Sequence, residues 1–205
     1  AYKGDITGTV TGGVFTATSA NQDISLAPGT YDFVLYNSKV TRSGNNLTVN
    51  RADADAALIG RTQQVITATP NKQKVPFTMK HVGAKVKIKL TGYMDIPAVT
   101  ATLASVNATD VPGSSIYDAS TGTWTAGTGA AMSANTTFNA SSESYFTSST
   151  FTSKSNEETM FMPATDVSKL KLTFNSGNIY LVNMANAGLT FKPASTLKLE
   201  QNGAY

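Results

Sequence analysis

Apolar and polar residues alternate along many short stretches of this chain, and this period of two constrains the fold more than any other feature. In residues 86–90 (VKIKL), three apolar side chains would lie on one strand face and two lysines on the other. Clusters of Gly, Pro, Asn and Ser separate such stretches, and Gly12–Gly13 predicts a hairpin turn within residues 4–16. The sequence therefore predicts an all-β, mostly antiparallel fold with sheets wetted on one face.

The length of the chain and one interruption suggest how the strands are grouped. A chain of 205 residues can form one large β-sandwich or two small ones. Thr91–Gly92 breaks the best strand, so we predict an N-terminal β-sandwich domain over residues 1–91 and a C-terminal one over residues 92–205. Residues 52–60 (ADADAALIG) are the one stretch compatible with a helix, although it is too short to be stable alone.

The residue types needed for catalysis are scarce. The chain has no cysteine, which excludes disulfides, thiol nucleophiles and cysteine-bound zinc. His81 is the sole histidine, no Gly-x-Ser-x-Gly turn accompanies it, and its neighbours predict a partly buried strand position. Asp53 and Asp55 alone lack the oxygen ligands of a calcium loop. The sequence predicts no catalytic residue, no metal site and no cofactor, so we do not expect an enzyme.

Charge and hydropathy exclude two further classes of partner. The 16 Lys and Arg residues are scattered and the net charge is only +3, so no nucleic-acid surface is predicted. No apolar run approaches the roughly 20 residues of a transmembrane segment. The chain opens at Ala1 without Met, and we expect any export signal to lie upstream of it.

Trp124 is the lone tryptophan and the one aromatic residue that the sequence marks for ligand contact. It stands between two threonines, where an exposed indole ring could stack on a sugar. A hairpin or core anchor is the alternative, and the sequence leaves both open.

Three segments, in this order, carry a resemblance to a known family. They are residues 28–37 (PGTYDFVLYN), 77–90 (FTMKHVGAKVKIKL) and 160–174 (MFMPATDVSKLKLTF). Together they resemble the fimbrillin-like family, the major and minor fimbrial subunits of Gram-negative gut and oral anaerobes. The late part of the chain departs from that pattern, because residues 191–196 (FKPAST) replace the usual Gly-x-x-Tyr.

The resemblance implies two transthyretin-like β-sandwich domains, export as an outer-membrane lipoprotein precursor, and a place in surface fimbriae. It also implies assembly by strand donation, in which a strand of one subunit fills a groove in the next, after an N-terminal strand has been trimmed away. Such pairing satisfies unpaired backbone groups and covers apolar surface. The short tail, residues 197–205, is the candidate donor, with Leu197, Leu199 and Tyr205 as strand-exchange residues.

The expected function is therefore that of a structural or adhesive fimbrial subunit at the cell surface. Its expected partners are other fimbrial subunits, in a homo- or heteropolymer, and a host or microbial surface ligand. The alternative is a monomeric surface β-sandwich that binds carbohydrate or a protein.

Overall fold

The structure is a computed structural model that describes residues 2–19, 23–70, 72–144, 146–176, 180–181, 184–185, 190–191 and 197–205. The first nine strands are β1 (Gly8–Thr11), β2 (Val14–Ala17), β3 (Gly29–Tyr36), β4 (Thr41–Ser43), β5 (Asn46–Asn50), β6 (Leu58–Ile66), β7 (Lys80–His81), β8 (Ala84–Val86) and β9 (Lys89–Gly92). The others are β10 (Val99–Ser105), β11 (Ser114–Asp118), β12 (Thr123–Ala126), β13 (Ser133–Phe138), β14 (Phe151–Lys154), β15 (Thr159–Phe161), β16 (Leu170–Ser176), β17 (Tyr180–Leu181), β18 (Met184–Ala185) and β19 (Thr190–Phe191). Short 3-10 turns lie at Arg51–Asp53 and Val167–Lys169.

The described strands form antiparallel sheets, which confirms the all-β prediction. Two sheets have four strands, in the orders β13-β10-β16-β19 and β12-β11-β5-β4. A third has the order β3-β6-β7, and the remaining strands pair as β1-β2, β9-β14, β8-β15 and β17-β18. Within the described ranges, no helix is long and apolar enough to span a membrane.

One hydrophobic core, here called core A, lies between the β10-containing sheet and the strands β8 and β15. Alternate residues of β10 and β16 point inward, which is the consequence of the two-residue period. The lysines of residues 86–90 are exposed and the apolar side chains are half-buried against this core, as predicted. The buried members of core A are Ala84, Val99, Ala101, Leu103, Val111, Phe138, Phe161, Leu170, Leu172, Phe174 and Leu199.

A second core, core B, lies between the β5-containing sheet and the three-stranded sheet. Its buried members are Val40, Leu47, Val49, Ala54, Ala57, Ile59, Val82, Tyr117 and Met162. The two cores adjoin at residues 161 and 162, since the side chain of Phe161 belongs to core A and that of the next residue, Met162, to core B.

Strand pairing links residues from both sides of position 91. Strand β5 pairs with β11, β8 pairs with β15 and β9 pairs with β14. Core B likewise takes Tyr117 and Met162 from the later half of the chain. The boundary between residues 91 and 92 and the transthyretin-like detail of the fold stay predictions.

The helix considered for residues 52–60 does not form, and that interpretation was wrong. A single 3-10 turn at Arg51–Asp53 is followed by β6, which begins at Leu58. Strand β6 pairs with β3 along eight residues, from Gly29–Ile66 to Tyr36–Ile59. This long ladder takes up Ile59 and Gly60, and Leu58 pairs with His81 of β7. Together these pairings outweigh the weak helical preference of a few alanines.

The hairpin predicted at Gly12–Gly13 is present. Both glycines have positive φ, 57° and 78°, as a two-residue turn between twisted strands requires. Its strands β1 and β2 pair only with each other among the described strands, and Val10 and Val14 remain 57% and 65% exposed. The hairpin is therefore an appendage outside both cores.

Candidate strand-exchange site

The tail, residues 197–205, lies on the rest of the chain as an added strand. The Leu199 side chain is only 2% exposed and belongs to core A. The Leu199 amide donates to the Thr165 carbonyl at 2.9 Å, and the Ala164 amide donates to the Leu199 carbonyl at 2.8 Å. The Val167 amide extends this short antiparallel ladder by donating to the Leu197 carbonyl at 2.9 Å. The first half of the tail is thus held by both backbone pairing and an apolar anchor.

The turn that receives Leu199 is formed by residues 162–165, the Met-Pro-Ala-Thr segment. Ala164 has a φ of 66°, a conformation that side-chain-bearing residues rarely adopt. The buried Thr165 hydroxyl donates to the Met162 carbonyl at 2.7 Å, and the buried Ser115 hydroxyl donates to the Pro163 carbonyl at 2.8 Å. Because both hydroxyls satisfy carbonyls inside the protein, the turn keeps a fixed shape beside the tail.

Gln201, in the middle of the tail, connects it to the strands around core B. Its side-chain oxygen accepts a hydrogen bond from the indole N–H of Trp124 at 3.2 Å. Its amide group donates to the backbone carbonyls of Ile59 at 3.4 Å and Lys80 at 3.3 Å. One side chain therefore joins three separate strands to the tail.

The last three residues run parallel to β8. The Lys85 amide donates to Gly203, the Tyr205 amide donates to Lys85, and the Lys87 amide donates to Tyr205, at 2.9, 2.9 and 2.8 Å. Ala204 lies directly opposite Lys85 in this register. Strand β15 pairs with one edge of β8, and the tail pairs with the opposite edge.

The three strand-exchange candidates differ in burial. Leu199 is inside core A, whereas Leu197 and Tyr205 are 46% and 41% exposed. All three contribute backbone hydrogen bonds to the docked tail. Their docking is on their own chain, and exchange between copies stays a prediction.

Charged residues lie beside the tail where it meets the 162–165 turn. The Asp166 carboxylate accepts a hydrogen bond from the Ser168 amide at 2.9 Å and lies opposite Lys198 of the tail. Hydrogen bonds from the Ser168 side chain and backbone, with the positive charges of Lys169 and Lys198, lower the pKa of Asp166. This carboxylate is therefore favoured in its charged form where the turn meets the tail.

Trp124, the predicted ligand contact, is half-buried and packs against core B. Its ring centroid lies 5.1 Å from that of Tyr117, tilted by 51°, and burial raises the pKa of Tyr117. The polar end of the indole is used by Gln201. Contact between Trp124 and a ligand stays a prediction.

A cavity of about 200 Å³ lies beside the tail, lined by residues that include Asp55, His81, Lys85 and Met160. His81 is in strand β7, as expected, but it is exposed rather than partly buried. Its Nδ1 atom lies 2.6 Å from the Asp55 carbonyl oxygen. Among the described residues, no three His, Asp or Glu side chains are close enough together to hold a metal ion.

Sequence analysis did not identify Gln201, although this residue ties the tail to the strands around core B. A single glutamine in a polar tail has no pattern that would mark it. The 162–165 segment did carry a signal through the resemblance, and the structure shows that this segment receives Leu199.

Comparison with known proteins gives a family and one solved structure. Residues 2–205 match the fimbrillin-like family. No curated protein matches the chain. A solved structure of a proposed cell adhesion protein from Bacteroides uniformis is similar, with 18% identity and a TM-score of 0.41 over 78% of this chain. The chain spans 60% of the length of that protein.

Because the match covers residues 2–205, the chain belongs to the fimbrillin-like family. The resemblance found in the sequence is therefore confirmed.

Proposed function

We propose that this chain is a structural subunit of a surface fimbria, that it joins other fimbrial subunits by strand exchange, and that residues 197–205 are the strand exchanged. The observation that carries the proposal is the docked tail. Leu199 fills a place in core A, and the backbone of the tail pairs with residues 164–167 on one side and with β8 on the other.

Removing the tail would leave a groove with two properties of a strand acceptor. A space the size of Leu199 would open in core A, and backbone groups of Ala164, Thr165, Lys85 and Lys87 would lose their partners. Unpaired backbone groups beside an apolar groove favour addition of a strand. A tail from a second copy restores the same contacts, so closed and exchanged forms differ mainly in the entropy of linking the chains.

The proposal describes a structural role rather than a catalytic one. It also assigns the chain to the outer membrane, with export through an upstream lipoprotein signal. Family membership supports the surface location.

The absence of cysteine from the chain makes a direct test of exchange available. Two singly substituted proteins, Lys85→Cys and Ala204→Cys, are mixed, briefly destabilised with urea, returned to buffer and oxidised. These positions lie opposite each other and line one cavity, so a disulfide can form only when the tail of one copy lies on β8 of the other. We expect a mixed dimer on a non-reducing gel, with a yield that increases with protein concentration.

The matched control replaces Lys85→Cys with Val65→Cys, because Val65 is an exposed residue of β6 outside this site. A mixed dimer no more abundant than in the control pair would contradict strand exchange through residues 197–205.

A further inference from the structure

Two loops meet at one end of core A and form a surface here called the tip, residues 93–98, 139–144 and 146–150. The first loop follows β9 and precedes β10, and the second follows β13 and precedes β14. Gly92 pairs with Phe151 and Val99 pairs with Phe138, so both loops cross the same end of the same two strand pairs. No described strand pairing or backbone hydrogen bond joins the tip to the tail.

Large apolar side chains are presented outward at the tip. Phe146 is 99% exposed, Tyr93 is 84% exposed and Met94 is 53% exposed. Elsewhere in the described ranges no large apolar residue is as exposed as Phe146 or Tyr93, and Val14 at 65% comes nearest. A group of exposed aromatic and apolar side chains on a folded surface typically marks a place of interaction.

The two loops are joined to each other by hydrogen bonds. The Ser141 amide donates to the Ile96 carbonyl at 2.8 Å, and the Ile96 amide donates to the Ser141 hydroxyl at 2.9 Å. The same hydroxyl donates to the Asp95 carboxylate. Tyr93 is therefore presented by a loop that is tied to its neighbour.

Hydrogen bonds to Ser144 hold the backbone at and after Phe146. The Thr147 and Ser148 amides donate to the Ser144 carbonyl at 3.0 and 2.9 Å, and the Phe146 amide donates to the Ser144 hydroxyl at 3.3 Å. At the base of the loop, Glu143 accepts the amide and hydroxyl of Thr152 at 3.1 and 2.6 Å. An aromatic ring on a pre-shaped turn loses little conformational freedom when it binds a partner.

The charge of the tip argues against an anionic partner. Neither loop contains Lys or Arg, and the two acids already accept hydrogen bonds, Asp95 from Ser141 and Glu143 from Thr152 of β14. A phosphate, a sulfate or an acidic lipid surface would find no cation to bind there. Seven Ser and Thr residues surround Phe146 within residues 141–150, so the apolar rings stand in a setting of hydroxyl groups.

The size of the apolar surface argues for a small partner. Each exposed aromatic side chain offers roughly 150–250 Å² of surface, so the tip presents on the order of 500 Å² with Met94 included. A stable protein–protein interface buries about 800 Å² on each partner. The tip is thus better matched to a short ligand chain than to a folded protein.

We propose that the tip is a binding site for a neutral oligosaccharide, with Tyr93 and Phe146 stacking on the apolar faces of sugar rings and loop hydroxyls bonding to their hydroxyl groups. A neutral sugar combines C–H faces with hydroxyls and carries no charge, which is the chemistry that the tip complements. This inference rests on the surface location in the proposed function and is independent of strand exchange, so the isolated chain can test it.

The full chain is applied to an array that contains neutral, sialylated and sulfated oligosaccharides, and the affinity for the neutral glycans retained is then measured by calorimetry. We expect neutral glycans to be retained and the charged ones not. Tyr93→Ala and Phe146→Ala should each weaken binding about tenfold, the change that follows from losing one stacked ring. Both side chains are exposed, so thermal unfolding of these variants should match that of the unchanged protein.

Two controls accompany the aromatic variants. Val65→Ala removes a solvent-exposed apolar side chain of β6, 61% accessible and outside the tip, and should leave the affinity unchanged. Trp124→Phe tests the tryptophan that the sequence suggested, and it should also bind normally. Loss of binding in Trp124→Phe alone would overturn the assignment of the tip.

Other outcomes would also overturn the proposal. No retained neutral glycan, or a preference for sialylated and sulfated glycans, contradicts it. Vesicles of phosphatidylcholine and concentration-dependent self-association are measured in parallel. If either interaction is lost in the Tyr93→Ala, Phe146→Ala double variant while no glycan binds, the tip contacts lipid or a second copy instead. Failure of glycan binding would leave the disulfide test of strand exchange unaffected.

Discussion

The tail and the N-terminal hairpin are both short strand elements near the ends of the chain, yet they differ in burial and in strand pairing. The hairpin closes on itself and leaves Val10 57% exposed, whereas the tail buries Leu199 to 2% and pairs with two other parts of the chain. Both contain apolar residues at the two-residue spacing of a strand. The difference teaches that alternation makes a strand possible, and that an available edge and an apolar groove make it part of the fold.

Truncation of one apolar side chain in each region should give the largest contrast. Leu199→Ala should lower the free energy of unfolding by about 2–5 kcal/mol, because it leaves a cavity in core A. Val10→Ala, the matched change in the hairpin, should cost no more than about 0.5 kcal/mol since its side chain is largely in water. Urea unfolding followed by Trp124 fluorescence measures both. Equal losses would remove the distinction between the two regions.

The link between the tail and core B should have a smaller effect. Gln201→Ala should lower the free energy of unfolding by about 1 kcal/mol, because three hydrogen bonds of 3.2–3.4 Å are lost at a half-buried position. The fluorescence spectrum of Trp124 should shift as its N–H loses its partner. Gln63→Ala is the control, since that exposed glutamine bonds only to Asp32. A loss no larger than in the control would show that Gln201 does not hold the tail.

Acidification should loosen the tail before it affects the hairpin. The folded-state pKa of Asp166 is lowered, so its contribution to stability is present above its ordinary value of about 3.9 and is lost as the pH falls below it. Hydrogen exchange of the Leu199 amide, corrected for its intrinsic rate, should therefore accelerate at low pH relative to the hairpin amides.

Asp166→Asn removes the titrating group and supplies the control for that experiment. Exchange at Leu199 should already be faster at neutral pH in this variant and should change little more on acidification. The same pH dependence in the variant as in the unchanged protein would exclude Asp166 as its source.

The sequence predicted the features that depend on local pattern. The period of two gave the strands of residues 86–90 and their exposed lysines, and Gly12–Gly13 gave the hairpin because only such residues adopt positive φ without strain. The family resemblance was also carried by short local segments. The helix considered for residues 52–60 failed because β3 lies far away in the sequence and pairs with that region only in the folded chain.

The candidate sites depended on contacts that no local pattern contains. Leu197 and Leu199 have the same spacing and residue type, yet one is half exposed and the other buried, because only Leu199 meets the groove beside the 162–165 turn. Tyr93 and Phe146 are more than fifty residues apart in the chain, and pairing of β9 with β14 and of β10 with β13 brings their loops together.

The sequence by itself determined the all-β class, the family and the turn at Gly12–Gly13, because each depends on residues that are close together in the chain. The tertiary structure alone decided which edge the tail occupies, that Gln201 links it to core B, and that Trp124 is packed while Tyr93 and Phe146 stand in solvent. The physical reason is that burial and edge pairing are properties of surfaces formed from distant segments, and these surfaces exist only after the chain has folded.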